Sequence, residues 1–299
     1  MKKNSGNAGR SAFSYNPLLF QRSRGRALSR AEKSGLIAAG STGILAFAVP
    51  ILVPLPLVFF VLICILAPLF PGFSFFYPVI SHGRRDVRQI SLTFDDGPDP
   101  VATPALLALL ARYEFCATFF VNGTKVRRHP ELVEAILAAG HEFGNHSYSH
   151  DGCIMFRSPS RLAQEMLLTQ RCLARHGVHP VFFRPPVGVN VPAYAEALHL
   201  SGLKAVNFSC RARDMGNRRV KGLARRILRQ IQPGDILLLH DTAPPGAPHN
   251  VQLWLAELEQ IFHALKKRHL KVVPLGALCS SSCKKNHDDL SEDSIHFLN

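Results

Sequence analysis

The sequence predicts an α/β protein, a distorted, partly closed (β/α) barrel of about seven βα units, preceded by an N-terminal transmembrane segment. Three observations carry this reading. Downstream of residue 85, short β-branched or apolar runs alternate with longer stretches of helical periodicity. No GxGxxG follows the first predicted strand, which argues against an open dinucleotide-binding sheet. From Gly35 to Ser81 no residue is charged, and Val53 to Phe70 (VPLPLVFFVLICILAPLF) is long and apolar enough to span a bilayer.

Strands are expected at Gln89 to Phe94, Cys116 to Val121, His141 to Gly144, Val181 to Arg184, Lys204 to Phe208, Asp235 to Leu239 and His269 to Val273. Between them, helices are expected at Thr103 to Tyr113, Pro130 to Ala139, Pro159 to His176 and Val251 to Lys267, among others. Gly140 and Gly177 stand where a C-terminal glycine ends a helix. The chain then divides into a basic cytoplasmic segment (1–34), a hydrophobic membrane anchor (35–80), a catalytic domain (86–277) and a polar, disordered tail (278–299).

Within the anchor, Gly35 to Val49 reads as a first, weaker span, with Pro50, Pro54 and Pro56 turning the chain into a second. A single span is the other reading. A cleaved signal peptide ending at Ala46-Phe47-Ala48 is a third, disfavoured because the hydrophobicity runs well past that site. One span puts the domain outside the cytoplasm, the expected location; a hairpin returns it inside, and Arg84, Arg85 and Arg88 after the run would suit that.

The formal charge of +14 lies in two clusters. Residues 1–33 hold eight basic residues against Glu32, a topology signal that keeps the N-terminus cytoplasmic. Residues 211–229 hold eight more against Asp214, either as a solvated basic helix face or as a contact for lipid headgroups or an anionic glycan. No aromatic residues interleave with these charges in a groove pattern, so a nucleic-acid partner is excluded. The seven cysteines are scattered and form neither a disulfide framework nor a CxxC zinc pattern; Cys279 and Cys283 can pair or remain thiols.

In such a fold, function gathers where strands end. There the sequence places Thr93-Phe94-Asp95-Asp96-Gly97-Pro98, Asn145-His146-Ser147-Tyr148-Ser149-His150, Arg184-Pro185-Pro186-Val187-Gly188, Asp214 and Leu238-Leu239-His240-Asp241. Histidines at i and i+4 share one face of a helical turn and can bind one metal ion, which a carboxylate from another strand end would complete. Such a three-ligand site leaves a position open for water. Alone, the histidine pair reads as solvated or capping, Asp95-Asp96 as a turn or N-cap, Arg184 as surface and His240 as a core histidine. Their common place at one rim favours chemistry. Successive strand side chains diverge, so one aspartate can bind metal while the other takes a proton.

TFDDGP, HSYSH, RPPVG and LLLHD, in this order, resemble the ordered motifs of the polysaccharide deacetylases of carbohydrate esterase family four, with the NodB homology domain. The resemblance covers roughly residues 88 to 275, a stretch long enough for one domain. It implies that Asp95 is the general base and that Asp96, His146 and His150 bind a divalent metal ion, zinc or cobalt. Arg184 would hold Asp95 ionised, His240 would protonate the leaving amine with Asp214 tuning its pKa, and the Val187 N–H would stabilise the oxyanion. Three departures bear on the sugar. Val187 stands where the family often has tyrosine, Phe208 and Met215 replace two usual tryptophans, and Arg211 replaces a common acidic residue.

The expected function is hydrolysis of the N-acetyl group of an N-acetylglucosamine-type glycan, chitooligosaccharide or peptidoglycan-like. Its rivals are a deformylase or deacetylase of a lipid-linked amino sugar phosphate, and an inactive glycan-binding module. The expected partners are such a glycan or lipid-linked amino sugar, and membrane lipid.

Overall fold

The computed structural model describes residues 28–247 and 249–280. Helix α1 (Arg30–Ala48) starts at a capping box: the Glu32 N–H donates to Ser29 Oγ at 3.1 Å, and the Ser29 N–H to Glu32 Oε2 at 2.7 Å. A one-turn helix at Pro50–Leu52 leads into α2 (Leu55–Leu66), prolonged by a turn at Ala67–Leu69. Proline sits at the start of each of these pieces, where its missing N–H costs no hydrogen bond. Helix α1 folds back along α2. A Cβ on Gly35 would sit 3.2 Å from the Phe60 ring, and the Ala31 N–H donates to the Phe75 carbonyl at 3.0 Å. The run Pro50–Leu69, 20 residues, is long and apolar enough to cross a membrane.

The domain follows as β1 (Val79–Ile80), β2 (Gln89–Asp95), α3 (Ala102–Tyr113), β3 (Thr118–Val121), α4 (Gly123–Arg128), α5 (Pro130–Ala138) and β4 (Glu142–Asn145). It continues through α6 (Pro159–Ala174), β5 (Phe182–Phe183), α7 (Ala193–Ser201), β6 (Lys204–Val206) and β7 (Cys210–Arg211). Then come α8 (Leu223–Leu228), β8 (Ile236–His240), α9 (His249–Lys267) and β9 (Lys271–Val272), and residues 275–280 are helical. The strands run parallel in the order β1-β6-β5-β4-β3-β2-β8-β7, with β9 also on β2. Among the described residues β1 and β7 do not pair, so the curled sheet stays partly closed, as expected.

Alternation along the strands makes two cores. Ile90, Leu92 and Phe94 of β2, Phe119 and Val121 of β3 and Leu237 and Leu239 of β8 face the helices, where α9 packs Trp254, Leu258, Ile261, Phe262 and Leu265 at helical spacing. The opposite set, Phe120, Phe182, Val206, Ile236 and Leu238, fills the barrel, closed by Leu275 and Leu278. Both faces of β2 are buried, and its sequence alternates accordingly: apolar Ile90, Leu92 and Phe94 face the helices, and polar Ser91, Thr93 and Asp95 take the opposite face. The inward set of β2 continues to Asp95 and that of β8 to His240, and these two are register partners.

Two boundaries differ from expectation. The charge-free segment to residue 80 is not all anchor, because Phe75 and Tyr77 are buried (4% and 6% exposed) and Val79–Ile80 pairs with β6. Absence of charge does not separate lipid-facing from core residues. The expected tail lies mostly outside the described residues, but Leu278 is 1% exposed and belongs to the core. Strands β1 and β7 are too short for a periodic signal. The basic stretch 211–229 is no single helix face: it runs through β7, a turn and α8.

Gly144 makes room for the barrel interior, since a Cβ there would approach Phe120 Cδ1 to 2.4 Å. Gly144→Ala is expected to cost about 1–3 kcal/mol through overpacking, measured as a lower chemical-denaturation midpoint with little change in slope.

Candidate active site

All eight residues singled out from the sequence, Asp95, Asp96, His146, His150, Arg184, Val187, Asp214 and His240, line one cavity of about 920 Å³. Parallel register brings them there. Asp95 pairs with His240 across β2 and β8, Val121 pairs with Asn145, and Asn145 with Phe183, so His146 and Arg184 leave neighbouring strands at one rim.

Arg184 is 1% exposed. Its Nη1 donates to Asp95 Oδ1 at 2.6 Å and to Thr93 Oγ1 at 2.7 Å, its Nη2 to the Asn207 carbonyl at 3.1 Å, and its Cζ lies 4.0 Å from the Phe120 ring centroid. Burial lowers the Arg184 pKa, and Asp95 opposes that shift.

Asp96 has φ 73, a left-handed conformation that turns its side chain away from the barrel axis taken by Asp95. Its Oδ1 lies 3.3 Å from His146 Nε2 and 3.0 Å from His150 Nε2. Burial raises the Asp96 pKa, but the adjacent His146 and His150 imidazoles outweigh it and hold the carboxyl below the usual range. The contact with Asp96 in turn raises His150, against desolvation. His146 Nδ1 is 2.8 Å from the Arg184 carbonyl, which can only accept; Nδ1 is therefore the N–H, and Nε2 presents a lone pair toward Asp96. Two imidazole nitrogens and one carboxylate oxygen, all within 4.8 Å of one another, match the donor set of a divalent cation. Asp96 Oδ1 is buried without a hydrogen-bond partner, as an atom awaiting a cation would be.

The histidines do not share a helical turn as the i, i+4 spacing suggested. Residues 146–150 form an irregular loop, with Ser147 and His150 at φ 68 and 53. Its conformation is imposed from outside: Asn145 Oδ1 accepts from the Ser147 N–H at 3.0 Å. Glu165 Oε2 accepts from the Tyr148 N–H at 3.2 Å, the Ser149 N–H at 2.7 Å and the Ser149 hydroxyl at 2.8 Å. Sequence reasoning missed Glu165, although a carboxylate on the buried face of α6, among Leu162, Met166 and Thr169, was a readable signal.

Across the cavity, His240 Nδ1 bonds Asp214 Oδ2 at 2.9 Å. Burial alone would lower the His240 pKa, but the bond to Asp214 and the charges of Asp214, Asp96 and Asp95 push it up to about 9. Asn217, also missed, fixes this corner, donating to the His240 carbonyl at 3.0 Å and the Thr242 carbonyl at 2.8 Å. Val187 holds φ 65, rare for a β-branched residue. With Met215 it forms an exposed apolar rim, 59% and 58% exposed, while Phe208 is buried beneath.

Glu165→Ala is expected to weaken divalent-metal affinity by about 10–100-fold by releasing the histidine loop, with Glu165→Gln intermediate, read by competition titration against a chromophoric chelator.

Residues 82–206 match the polysaccharide deacetylase family profile. The chain is 34% identical over 199 residues to a chitooligosaccharide deacetylase of Bradyrhizobium sp. (strain ANU 289), covering 64% of this chain and 90% of that one. It is 35% identical over 196 residues to a peptidoglycan-N-acetylglucosamine deacetylase of Bacillus cereus, covering 64% and 88%. Among solved structures, a peptidoglycan N-acetylglucosamine deacetylase superposes with TM-score 0.61 at 28% identity, over 68% of this chain and 94% of that one. A peptidoglycan deacetylase from Bacillus subtilis gives 0.60 at 26%, over 70% and 98%. Relatives this similar, matched over most of their own length on a barrel of the same build, make this chain a member of the polysaccharide deacetylase family, hydrolases of N-acetyl amide bonds.

Proposed function

We propose that this chain is a membrane-held, divalent-metal-dependent enzyme that removes the N-acetyl group from an N-acetylglucosamine-type sugar, chitooligosaccharide or peptidoglycan-like. The observation that carries the reading is one cavity in which Arg184-bound Asp95 stands between the Asp96, His146, His150 donor set and protonated His240.

Asp96, His146 and His150 would hold the ion, zinc or cobalt, which when bound supplies Lewis-acid stabilisation of charge developing on the acetamide oxygen. Asp95 has one oxygen fixed by Arg184 and turns the other, 3.9 Å from His146 Nε2, to the cavity to take a proton from the attacking water. His240, kept protonated by Asp214, delivers its proton to the amine nitrogen as the C–N bond breaks. The Val187 N–H adds a donor toward the oxyanion. The products are acetate and a free amino sugar.

Pro50–Leu69 supports a membrane anchor. Counted as a single span, with the basic N-terminus cytoplasmic, it leaves the domain outside the cytoplasm. The Ala31–Phe75 bond favours a second reading. A hairpin inserted in that arrangement brings the basic N-terminal segment and the domain out on one side, the cytoplasmic one by its Lys and Arg content. A reporter fused after Arg88 separates the two.

Stripping divalent metal is expected to abolish acetate release from N-acetylglucosamine oligomers, and zinc or cobalt to restore it. Asp95→Asn should lower kcat by about 10²–10⁴-fold with the metal still bound. A metal-loaded chain that binds glycan without releasing acetate would point to a binding module, and formate release from an N-formyl sugar to a deformylase. Asp214 raises the pKa of an acid that works only when protonated. Asp214→Asn should therefore move the alkaline limb of the kcat/KM profile to lower pH, read by rate measurements from pH 6 to 10.

A further inference from the structure

Among the described residues, no carboxylate forms an ion pair with an arginine or lysine of the basic stretch 211–229. Its only acid, Asp214, is bonded to His240, and the arginine–carboxylate pairs of the described residues use arginines elsewhere in the chain. Between this stretch and Pro71 lies a groove of about 580 Å³, walled by Arg211, Arg213, Arg226 and Arg229, with no carboxylate in its lining. Phe208, Arg211 and Arg213 line both this groove and the active-site cavity, so the two spaces share a wall.

The arginines are not equivalent. Arg226 is structural: its Nε donates to the Ala212 carbonyl at 2.8 Å, its Nη1 to that of Lys221 at 2.8 Å and its Nη2 to that of Arg219 at 2.6 Å. It thereby holds the segment that carries its neighbours. The Arg211 guanidinium lies over the Phe208 ring at 5.1 Å, half-buried, where desolvation and Arg213 both disfavour its charge. Arg213 is exposed in a left-handed conformation, φ 54. Two forked cations that line one groove with no carboxylate partner among the described residues suit a phosphate, whose oxygens accept paired N–H donors, better than neutral sugar hydroxyls. Pro71, two residues past the apolar run, also lines the groove, and its carbonyl accepts from Asn190 at 2.9 Å and Asn207 at 2.8 Å.

We infer that the groove is a phosphate subsite and that the substrate is a phosphate ester of an N-acyl amino sugar. Its sugar enters the cavity, its phosphate lies on Arg211 and Arg213, and whatever the phosphate carries leaves past Pro71. The ester is bound and not cleaved. This rests on the deacetylase reading for the sugar, while the subsite itself is tested by binding alone.

The test uses the full chain, zinc-loaded, in nanodiscs of phosphatidylcholine, with binding measured by calorimetry. The probes are the methyl glycoside of N-acetylglucosamine, its methyl phosphodiester analogue, and the same diester bearing a long alkyl chain. The diester should bind at least about tenfold tighter than the glycoside. Arg211→Gln and Arg213→Gln should each cut that preference by about tenfold. Arg225→Gln, exposed on α8 and outside both spaces, should keep it. Should a variant misfold, salt decides on the unmodified protein: the diester's affinity falls steeply as NaCl rises and the glycoside's does not. A further gain from the alkyl chain identifies a lipid-linked source, and equal affinity of the two diesters a soluble phosphorylated glycan; either supports the subsite. Equal binding of diester and glycoside, or a preference that survives both arginine variants, overturns it. Acetate release, followed in parallel, reports on the deacetylase reading: arginine-dependent binding without release would sink that reading and leave the subsite standing.

Discussion

Arg184 carries a positive charge that is almost wholly withdrawn from water, and the site is arranged around meeting that cost. Its guanidinium is shared among the Asp95 carboxylate, Thr93, the Asn207 carbonyl and the face of Phe120. Its own carbonyl fixes the tautomer of His146. One residue thus orients Asp95 through its side chain and His146 through its backbone. Its neighbours inherit constraints in turn: Phe120 must lie flat beneath it, and Gly144 on the next strand must lack a side chain for Phe120 to do so. A buried ion pair of this kind adds little net stability, because desolvation offsets most of the attraction. What it contributes is position.

The site was more legible than the frame that holds it. Asp95, Asp96, His146, His150, Arg184, Asp214, Val187 and His240 lie in or just after strands that the alternation of Gln89–Asp95 or an apolar run such as Ile236–His240 announces, and polar residues at such places stand out. Glu165, Asn207 and Asn217 did not stand out. They act through backbone groups of loops whose course no periodicity encodes, for example the left-handed residues Ser147 and His150. The structure brings the two histidines together, but not through the helical turn that their i, i+4 spacing suggested, since tertiary bonds from Asn145 and Glu165 override the helical option. Two-residue strands such as β1 and β7 leave no pattern at all, and the charge-free run concealed where the apolar helices end and the domain's core residues begin.

That last boundary has a practical side. Pro71 accepts hydrogen bonds from Asn190 and Asn207, Tyr77 donates to Asn190 Oδ1 at 3.1 Å, and Val79–Ile80 covers the open edge of β6. A water-soluble fragment cut at the first charged residues after the apolar run would lack all of these. It would leave an unpaired strand edge, a ready template for intermolecular pairing, and would loosen Asn207, whose carbonyl anchors Arg184. A cut that removes the apolar helix therefore has to fall between Leu69 and Pro71, and a crude truncation that aggregates or loses activity would report on damage to the barrel rather than on any need for a membrane.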